Sequence, residues 1–205
     1  MIAIIDYHVG NLASIKNMLG KIGEEVIISS KQEDLAKADK LILPGVGSFD
    51  TGMKNLSDFG LVEILNQLVL SDRKPILGIC LGMQLLGKRS EEGAMAGLSW
   101  IDAETIKFRF ENDSKRKIPN MGWNSLDVVK KENVLLDRID ANSRFYFVHS
   151  YHVKCNDEAD IVARSNYGID FVSVVGHGNI LGTQFHPEKS LKWGMQLLRN
   201  FAKMV

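Results

Sequence analysis

A cysteine between two glycines is the feature of this sequence that most clearly carries chemistry. The segment is Gly78-Ile79-Cys80-Leu81-Gly82, and it stands where an apolar run meets a helical pattern. A reactive side chain on such a strand-to-helix turn is typical of a nucleophile elbow, here with a thiol. The glycines allow close backbone approach, and the start of a helix favours a thiolate through the macrodipole. The N–H of Leu81 is placed to hold an oxyanion. A buried structural cysteine is the alternative interpretation.

A histidine and a glutamate late in the chain can serve this thiol. His186 follows an apolar run, and Glu188 lies two residues further on, beyond a proline that fixes the turn. A cysteine nucleophile needs a base, and the base needs a group that orients it. We expect His186 to take the thiol proton and return it to the leaving group, while Glu188 holds the tautomer. An unrelated surface His-Pro-Glu turn is the alternative.

The first half of the chain contains the elements that must position the cysteine. Apolar runs predict buried strands, and apolar residues at helical spacing predict helices between them. Strands buried on both faces and separated by helices indicate a mostly parallel central sheet flanked by helices, an α/β fold. The predicted strands are 2–7, 26–28, 41–43 and 75–79, and the predicted helices are 11–22, 32–38, 61–70 and 81–86.

The second half has short strand patterns separated by turns, which often fold as antiparallel additions to a central sheet. They cover 105–110, 124–129, 145–148, 161–164, 171–175 and 180–184, and a helix over 191–201 closes the chain. The catalytic histidine would then follow the last strand, at the carboxyl edge of the sheet where ligands collect in open α/β folds. No repeat or linker interrupts the 205 residues, so we expect one domain over 1–205.

Composition excludes several classes of function. The 25 basic and 25 acidic residues give a net charge of zero, which argues against nucleic acid or an anionic membrane as partner. No apolar stretch is long enough for a membrane span, and the apolar N-terminus reaches Asp6 too soon for a signal peptide. The two cysteines, Cys80 and Cys155, do not form a disulfide framework. We therefore expect a cytoplasmic location. His152 and His177 lack ligand spacing, and the sequence requires no metal or other cofactor.

The cysteine and histidine segments, PILGICLGMQLL and GTQFHPEKS, resemble the triad motifs of class I glutamine amidotransferases. Within that superfamily the chain is similar to glutaminase subunits of imidazole glycerol phosphate synthases over essentially its whole length. The segments that carry this closer resemblance are DYHVGNLASI, LPGVGSF, KIPNMGWN and FYFVHSYHV. The resemblance implies the class I amidotransferase fold and hydrolysis of L-glutamine to glutamate and ammonia through a cysteine thioester, with Cys80, His186 and Glu188 as the triad.

The resemblance also implies roles for residues outside the triad. The oxyanion hole would use the backbone at Gly45 and Val46 together with Leu81, and a flip of the middle peptide would complete the hole when a partner docks. The partner would be a cyclase (β/α)8-barrel subunit in a heterodimer, with Trp123 as anchor or, alternatively, as a core side chain. Residues implied for substrate binding are Gly47, Gln84, His149, Ser150 and Tyr151, and those for the partner interface are Gly10, Asn11, Met121, Gly122, Trp123, Asn124 and Lys189.

Two positions depart from the family pattern. His8 follows Asp6-Tyr7 where the family usually has glycine, and Asn120 stands where it often has histidine. Both would lie on the docking face and leave the triad intact, so they bear on the partner's identity. They are also compatible with tolerated variation.

Three other functions are compatible with parts of the sequence. A paralogous glutaminase would supply ammonia for amidation of surface-polysaccharide sugars instead of for imidazole glycerol phosphate and AICAR in histidine biosynthesis. A non-catalytic regulatory module on the same scaffold would be expected to lack a triad member. A cysteine peptidase or esterase would need an open groove and would not need Gln84 or the His149-Ser150-Tyr151 segment.

Overall fold

The computed structural model of the protein describes residues 1–110 and 116–204. Its helices and strands, in chain order, are β1 (Ile2–Ile5), α1 (Leu12–Lys21), β2 (Val26–Ser29), α2 (Gln32–Lys37), β3 (Lys40–Leu43), α3 (Phe49–Asp58), α4 (Leu61–Asn66), β4 (Ile76–Ile79), α5 (Leu81–Leu85), β5 (Arg89–Ser90), β6 (Ala103–Lys107), β7 (Asn120–Asn124), β8 (Asp127–Val128), β9 (Phe145–His149), β10 (Tyr151–Cys155), β11 (Ile161–Asn166), β12 (Asp170–His177), β13 (Ile180–Thr183) and α6 (Leu191–Lys203). None of the helices described reaches the length and apolarity that a bilayer crossing requires.

The large sheet has a parallel half and a mostly antiparallel half. Its main order is β2-β1-β3-β4-β13-β12-β10-β6-β5, and β11 and β8 extend it beside β12. The first five strands in this order are parallel, while β12, β10 and β6 pair antiparallel with their predecessors. Strands β7 and β9 form a separate two-stranded antiparallel sheet. The expected α/β fold with a mostly parallel sheet and antiparallel strands in the second half is confirmed.

Alternation along the central strands divides the core between the two faces of the sheet. In β1, Ala3 and Ile5 pack into one apolar cluster, whereas Ile2 and Ile4 pack into the other. Helices α3, α4 and α5 cover the first face, and helices α1 and α6 cover the second. Burial on both faces explains why these strands read as continuous apolar runs. The central strands are therefore held rigidly, which fixes the positions of the residues that follow them.

Register places two strand ends side by side. Strand β13 pairs in parallel with β4, so that Thr183 lies opposite Ile79. The chain leaves both strands at the same edge, and Cys80 N–H continues the pairing by donating to the Thr183 carbonyl over 2.7 Å. Cys80 directly follows one strand and His186 comes three residues after the other. The topology therefore brings the sequence-distant cysteine and histidine segments together.

Several sequence predictions differ from the structure. Helix α3 was not predicted, because Gly52 and its polar neighbours resemble a loop, yet Phe49, Met53 and Leu56 line one buried face. The expectation that 180–184 is an antiparallel addition is wrong for one neighbour, since β13 is parallel to β4. The predicted strand 124–129 contains only the last residue of β7 and the two-residue strand β8. Strand β10 was missed because a turn at Ser150 separates it from β9. The end of the predicted helix 61–70 is a π-helical turn.

Candidate active site

The turn after β4 holds Cys80 in a strained conformation. Its φ is +53°, a left-handed value that non-glycine residues rarely adopt. Gly82 allows the turn to pack against β3, because a Cβ there would lie 1.8 Å from the Leu43 carbonyl oxygen. The following helix, α5, has only five residues. So short a helix has a weak macrodipole, and the charge that faces the thiol must come mainly from side chains.

His186 and Glu188 form a buried pair beside the thiol. His186 Nδ1 donates to Glu188 Oε1 over 2.8 Å, and both side chains are 2% exposed. Burial lowers the pKa of His186, but its interactions with Cys80 and Glu188 outweigh burial and raise that pKa to about 10. The imidazole is thus poised to carry a proton when the sulfur is a thiolate. Backbone bonds fix the turn: His186 N–H donates to the Tyr146 carbonyl, and Ser190 Oγ donates to the His186 carbonyl.

A cavity of about 310 Å³ opens directly above Cys80. Its volume suits a small metabolite, and polar groups from several elements converge on it. Of the residues proposed from the sequence for the triad, the oxyanion hole and substrate binding, all but Gly45 and Glu188 line this cavity. Glu92 and Pro119 also contribute to the wall, although neither was predicted to be a site residue. The cavity is lined by Val46, Gly47, Cys80, Leu81, Gln84, Glu92, Pro119, Val148, His149, Ser150, Tyr151 and His186.

The backbone between β3 and α3 lies against the cysteine turn. Gly45 is buried, and a Cβ there would lie 2.8 Å from Gly82 N and 2.9 Å from the Tyr7 hydroxyl. Tyr7 donates from that hydroxyl to the Pro44 carbonyl and is fully buried. Burial, and then the neighbouring Cys80, raise the pKa of Tyr7 above its ordinary value, which keeps the hydroxyl protonated. Tyr7 was not identified from the sequence, where it is one more residue of an apolar strand pattern.

The next two residues of this backbone face the cavity. Val46 is 47% exposed, and Gly47 has φ +106°, a conformation that favours glycine. The backbone on which the oxyanion prediction depends therefore reaches the cavity in an exposed segment.

Two glutamine side chains surround the sulfur. Gln184 is fully buried, and its Nε2 lies 3.7 Å from Cys80 Sγ as a hydrogen-bond donor. Gln84 uses both hydrogens of its amide, one toward Gln184 Oε1 and one toward the Tyr151 carbonyl, each over 3.2 Å. Gln84 can therefore meet a ligand only with its Oε1, an acceptor. Gln184 was not predicted to be a site residue, and its sequence signal is a polar residue at the end of an apolar strand pattern.

Exposed side chains beside the cavity form a continuous aromatic and apolar surface. Met121 is 61% and Trp123 50% exposed, so Trp123 is not a core side chain. The Trp123 ring contacts Tyr146 edge-on at 5.9 Å, and Lys189 Nζ lies 5.7 Å from the centre of the Tyr146 ring. These residues come from β7, β9 and the turn before α6. We call Met121, Trp123, Tyr146 and Lys189 the aromatic face.

The remaining residues expected at the interface have local structural roles as well. Asn11 caps α1, its Oδ1 accepting from Ser14 N–H over 3.4 Å. Gly10 approaches Pro44, so the loop before α1 touches the segment that leads to Gly45. His8 is exposed with φ +63°, a conformation that explains the family's glycine there. Asn120 is different, because it is 4% exposed and faces inward, which corrects the expectation that it lies on the docking face.

The second cysteine has an ordinary structural environment. Cys155 is free and half-buried, and burial raises the pKa of its thiol to about 12. It is therefore not activated as a nucleophile.

Comparison with known proteins identifies the family. A model of the family described as glutamine amidotransferase class-I matches residues 3–205. The chain belongs to the class I glutamine amidotransferases. Relatives include imidazole glycerol phosphate synthase subunit HisH 2 of Methanococcus maripaludis, 55% identical, and the protein of the same name from Pseudomonas aeruginosa, 51% identical. Both alignments cover all of each chain.

Solved structures agree on the fold of this amidotransferase. A crystal structure of a glutamine amidotransferase matches 99% of this chain and 98% of its own, with a TM-score of 0.75 at 22% identity. A putative GMP synthase component from Thermoplasma acidophilum matches 98% of this chain and 90% of its own, with a TM-score of 0.72 at 20% identity. The family resemblance stated from the sequence is confirmed, and the protein is an enzyme of the glutaminase type.

Proposed function

We propose that residues 1–205 form a single glutaminase domain in which Cys80 attacks the side-chain amide carbon of L-glutamine. The observation that carries this proposal is that Cys80 and His186 line one cavity, while Glu188 accepts a hydrogen bond from His186 Nδ1. The thiolate forms the C–S bond, and the amide oxygen takes up the negative charge of the tetrahedral intermediate. His186 then delivers its proton to the nitrogen, so that ammonia leaves and a thioester remains. Water, deprotonated by His186, hydrolyses the thioester to glutamate.

The oxyanion of this proposal is held by backbone donors. The N–H of Leu81 follows the nucleophile directly, and the backbone at Gly45 and Val46 supplies the second donor. Removing one such donor costs about a hundredfold or more in kcat. We further propose that the peptide between the glycines flips to complete the hole when a partner docks, as Gly47's conformation and the exposure of Val46 allow. A Gly47→Val variant that retained full partner-stimulated activity would contradict this gating.

The substrate's own charges have partners in the wall of the cavity. Glu92 supplies a carboxylate and Gln84 an acceptor oxygen for the α-ammonium group of glutamine. His149, Ser150 and Tyr151, together with Gly47, also line the cavity and are proposed to contact the rest of the substrate. When the side-chain amide of the substrate glutamine lies against Cys80, its α-ammonium and α-carboxylate groups would lie near Glu92.

The ammonia is proposed to pass to a cyclase (β/α)8-barrel subunit, as in a heterodimeric imidazole glycerol phosphate synthase of the cytoplasmic histidine pathway. The names of the relatives, which are subunits of that synthase, support this assignment over surface-sugar amidation. The aromatic face supports it too, since exposed tryptophan and methionine beside a reactive site are typical of interfaces. Together with Gly10, Asn11, Gly122 and Asn124 it would form the docking surface around the cavity.

A pair of matched variants tests the docking surface. Trp123→Ala removes the centre of the aromatic face. Leu70→Ala truncates another exposed side chain, 44% exposed against 50% for Trp123, which lies before β4 at the opposite end of the strand from Cys80. We expect Trp123→Ala to weaken binding of the histidine-pathway cyclase by about tenfold or more in titration calorimetry. Leu70→Ala should bind as the parent does. Equal affinities for both variants would place the interface elsewhere, and no binding by the parent would favour another synthase as partner.

A further inference from the structure

A continuous set of hydrogen bonds connects the Cys80 sulfur to strand β7 through side chains outside the triad. It begins at Gln184, whose Nε2 donates to Cys80 Sγ over 3.7 Å. Gln184 Oε1 accepts from Gln84 Nε2 over 3.2 Å. The second hydrogen of Gln84 Nε2 goes to the Tyr151 carbonyl, also over 3.2 Å. The amide nearest the nucleophile is therefore tied to the first residue of β10.

The set continues from Tyr151 to β7. The same Tyr151 carbonyl accepts from His149 Nδ1 over 2.8 Å. On the other side of the imidazole ring, Asn120 Nδ2 lies 3.0 Å from His149 Nε2. Asn120 begins β7, the strand that also carries the exposed Met121 and Trp123. We call Asn120, His149, the Tyr151 carbonyl, Gln84 and Gln184 the amide relay.

The direction of every bond in the amide relay is fixed by chemistry. A carbonyl oxygen only accepts, so His149 Nδ1 must carry the ring hydrogen and Nε2 must accept from Asn120. The ring stays neutral because it is buried among Phe108, Phe147 and Phe171, and burial lowers the pKa of His149 to about 3. Gln84 likewise can only donate from Nε2. Gln184 must then turn Oε1 toward Gln84, which leaves its N–H₂ group facing the sulfur.

We propose that Gln184 is a positioning residue for the Cys80 nucleophile, and that the rest of the amide relay holds its amide in the orientation that donates to the sulfur. The reverse orientation would place a carbonyl oxygen against the thiolate, and that contact is repulsive. An N–H donor instead stabilises the thiolate and holds it below the cavity. This inference rests on the proposed role of Cys80 and extends it to residues that the triad does not contain.

The relay also accounts for Asn120. Its buried amide is not a docking contact but the donor that keeps His149 in one tautomer. Histidine, which the family often has at this position, can donate from a ring N–H in the same direction. An aspartate cannot, because a carboxylate only accepts, and it would require His149 to bind a second proton. A side chain at position 120 that donates to His149 should therefore preserve the relay, and one that only accepts should disturb it. Substitutions at this position test the relay directly.

Other titratable groups lie near the two ends of the amide relay. The sulfur of Cys80 is faced by His186 from the turn after β13 and by Tyr7 from the segment after β1. The ring of His149 is faced by His152 and His186. None of the variants below replaces His186, Tyr7 or His152, and Gln184→Met adds no titratable group, so a change in the pH profile of Cys80 in that variant reports on the relay.

The first test removes the donor at the sulfur. Gln184→Met keeps the length of the side chain but has no N–H, and Gln84 still donates to Tyr151. The readouts are the pH profile of Cys80 alkylation by iodoacetamide, followed by mass spectrometry of the Cys80 peptide, and kcat and KM for glutamate release. We expect the midpoint of alkylation to rise by about one pH unit and kcat to fall about tenfold, with little change in KM.

A buried isosteric variant serves as the matched control. Thr105 is buried on β6, and its hydroxyl has no hydrogen-bond partner among the residues that the structure describes. Thr105→Val should leave both the alkylation profile and kcat unchanged. If any core substitution affected Cys80 through a general structural disturbance, Thr105→Val and Gln184→Met would change the alkylation midpoint and kcat in the same way.

The second test acts at the far end of the relay and remains available if Gln184→Met does not fold. Asn120→His should behave as the parent does. Asn120→Asp should show a protonated His149 ring by nitrogen NMR, and because the imidazolium competes more strongly with Gln84 for the shared Tyr151 carbonyl, it should loosen Gln84 and raise the alkylation midpoint in the same direction as Gln184→Met. In the Gln184→Met background, Asn120→Asp should have no additional effect on Cys80. The proposal would be overturned if the effects of Asn120→Asp and Gln184→Met on the alkylation midpoint were fully additive. It would also be overturned if a folded Gln184→Met protein showed an unchanged alkylation profile.

Alkylation needs no turnover, and this separates the relay from the proposed function. If Cys80→Ala retained glutamate release, the assignment of the nucleophile would fail. If Cys80→Ala were inactive and the relay variants left the alkylation profile unchanged, only the relay would fail.

Discussion

The neutral, buried His149 makes the stability of the protein depend on pH between pH 6.5 and about pH 3. Its pKa is lowered from an ordinary value of 6.5 to about 3, chiefly because burial among aromatic rings removes the water that would solvate the imidazolium. Below pH 6.5 the unfolded chain binds a proton at this position that the folded protein does not bind. The free energy of unfolding therefore falls on acidification.

The magnitude follows from the two pKa values. The slope approaches about 1.4 kcal/mol per pH unit well below pH 6.5, and between pH 6.5 and about pH 5 the contribution of His149 amounts to about 1.5 kcal/mol. The carboxylates whose pKa values are lowered in the fold, such as Asp50 and Asp102, lose their contribution only at more acidic pH. His152, whose pKa burial also lowers, adds to the slope in the same direction.

Urea unfolding at several pH values between 6.5 and 5 measures this slope. His149→Gln keeps hydrogen-bonding groups but does not titrate, so the difference between the slopes of the parent and the variant isolates His149 from His152. We expect the variant to lose about 1.5 kcal/mol less than the parent over this range. Identical slopes would refute the reasoning, because they would mean that His149 is protonated in the fold or that its neighbours relax to solvate it.

Three further predictions concern the turn and the site. Gly82→Ala should destabilise the protein by about 3 kcal/mol in urea unfolding, because the new Cβ would contact the Leu43 backbone. The control Gly20→Ala, whose Cβ would have no neighbour within 4 Å, should stabilise α1 slightly. Equal effects of the two variants would contradict the inference that Gly82 is required for close packing against β3. Glu92→Gln should raise KM for glutamine about tenfold with little change in kcat, and an unchanged KM would remove Glu92 from substrate binding. Glu188→Gln should lower kcat by about a thousandfold, and near-parental kcat would exclude it as the orienting group of His186.

The elements predicted correctly from the sequence are those with strong local patterns. Strands of the parallel sheet appeared as apolar runs because both faces are buried, and the cysteine turn was recognisable from its flanking glycines. Helix α3 was hidden, since Gly52 and the neighbouring polar residues lower helix propensity, and its stability comes from tertiary packing of Phe49, Met53 and Leu56. The parallel pairing of β13 with β4 is a long-range choice that no local pattern in either strand specifies.

The same difference between local motifs and long-range contacts explains which site residues were predicted. The residues proposed for the triad, the loop at Gly47 and the segment at His149 were identified through motifs, and the structure places them at or beside one cavity. The roles of Tyr7 and Gln184 could not be found that way, because each depends on a contact with a residue far along the chain, Pro44 and Cys80 respectively. Asn120 was assigned to the docking face through the family resemblance, but alternation along β7 turns its side chain inward.

The most direct test of the account is glutamate release from L-glutamine by the purified chain, measured with and without the cyclase and its ligand, with Cys80→Ala as the control. We predict low release by the chain alone, strong stimulation in the complex and none from the variant under either condition. Release by Cys80→Ala at the parental rate would contradict the central claim that this thiol, paired with His186 and Glu188, is the nucleophile.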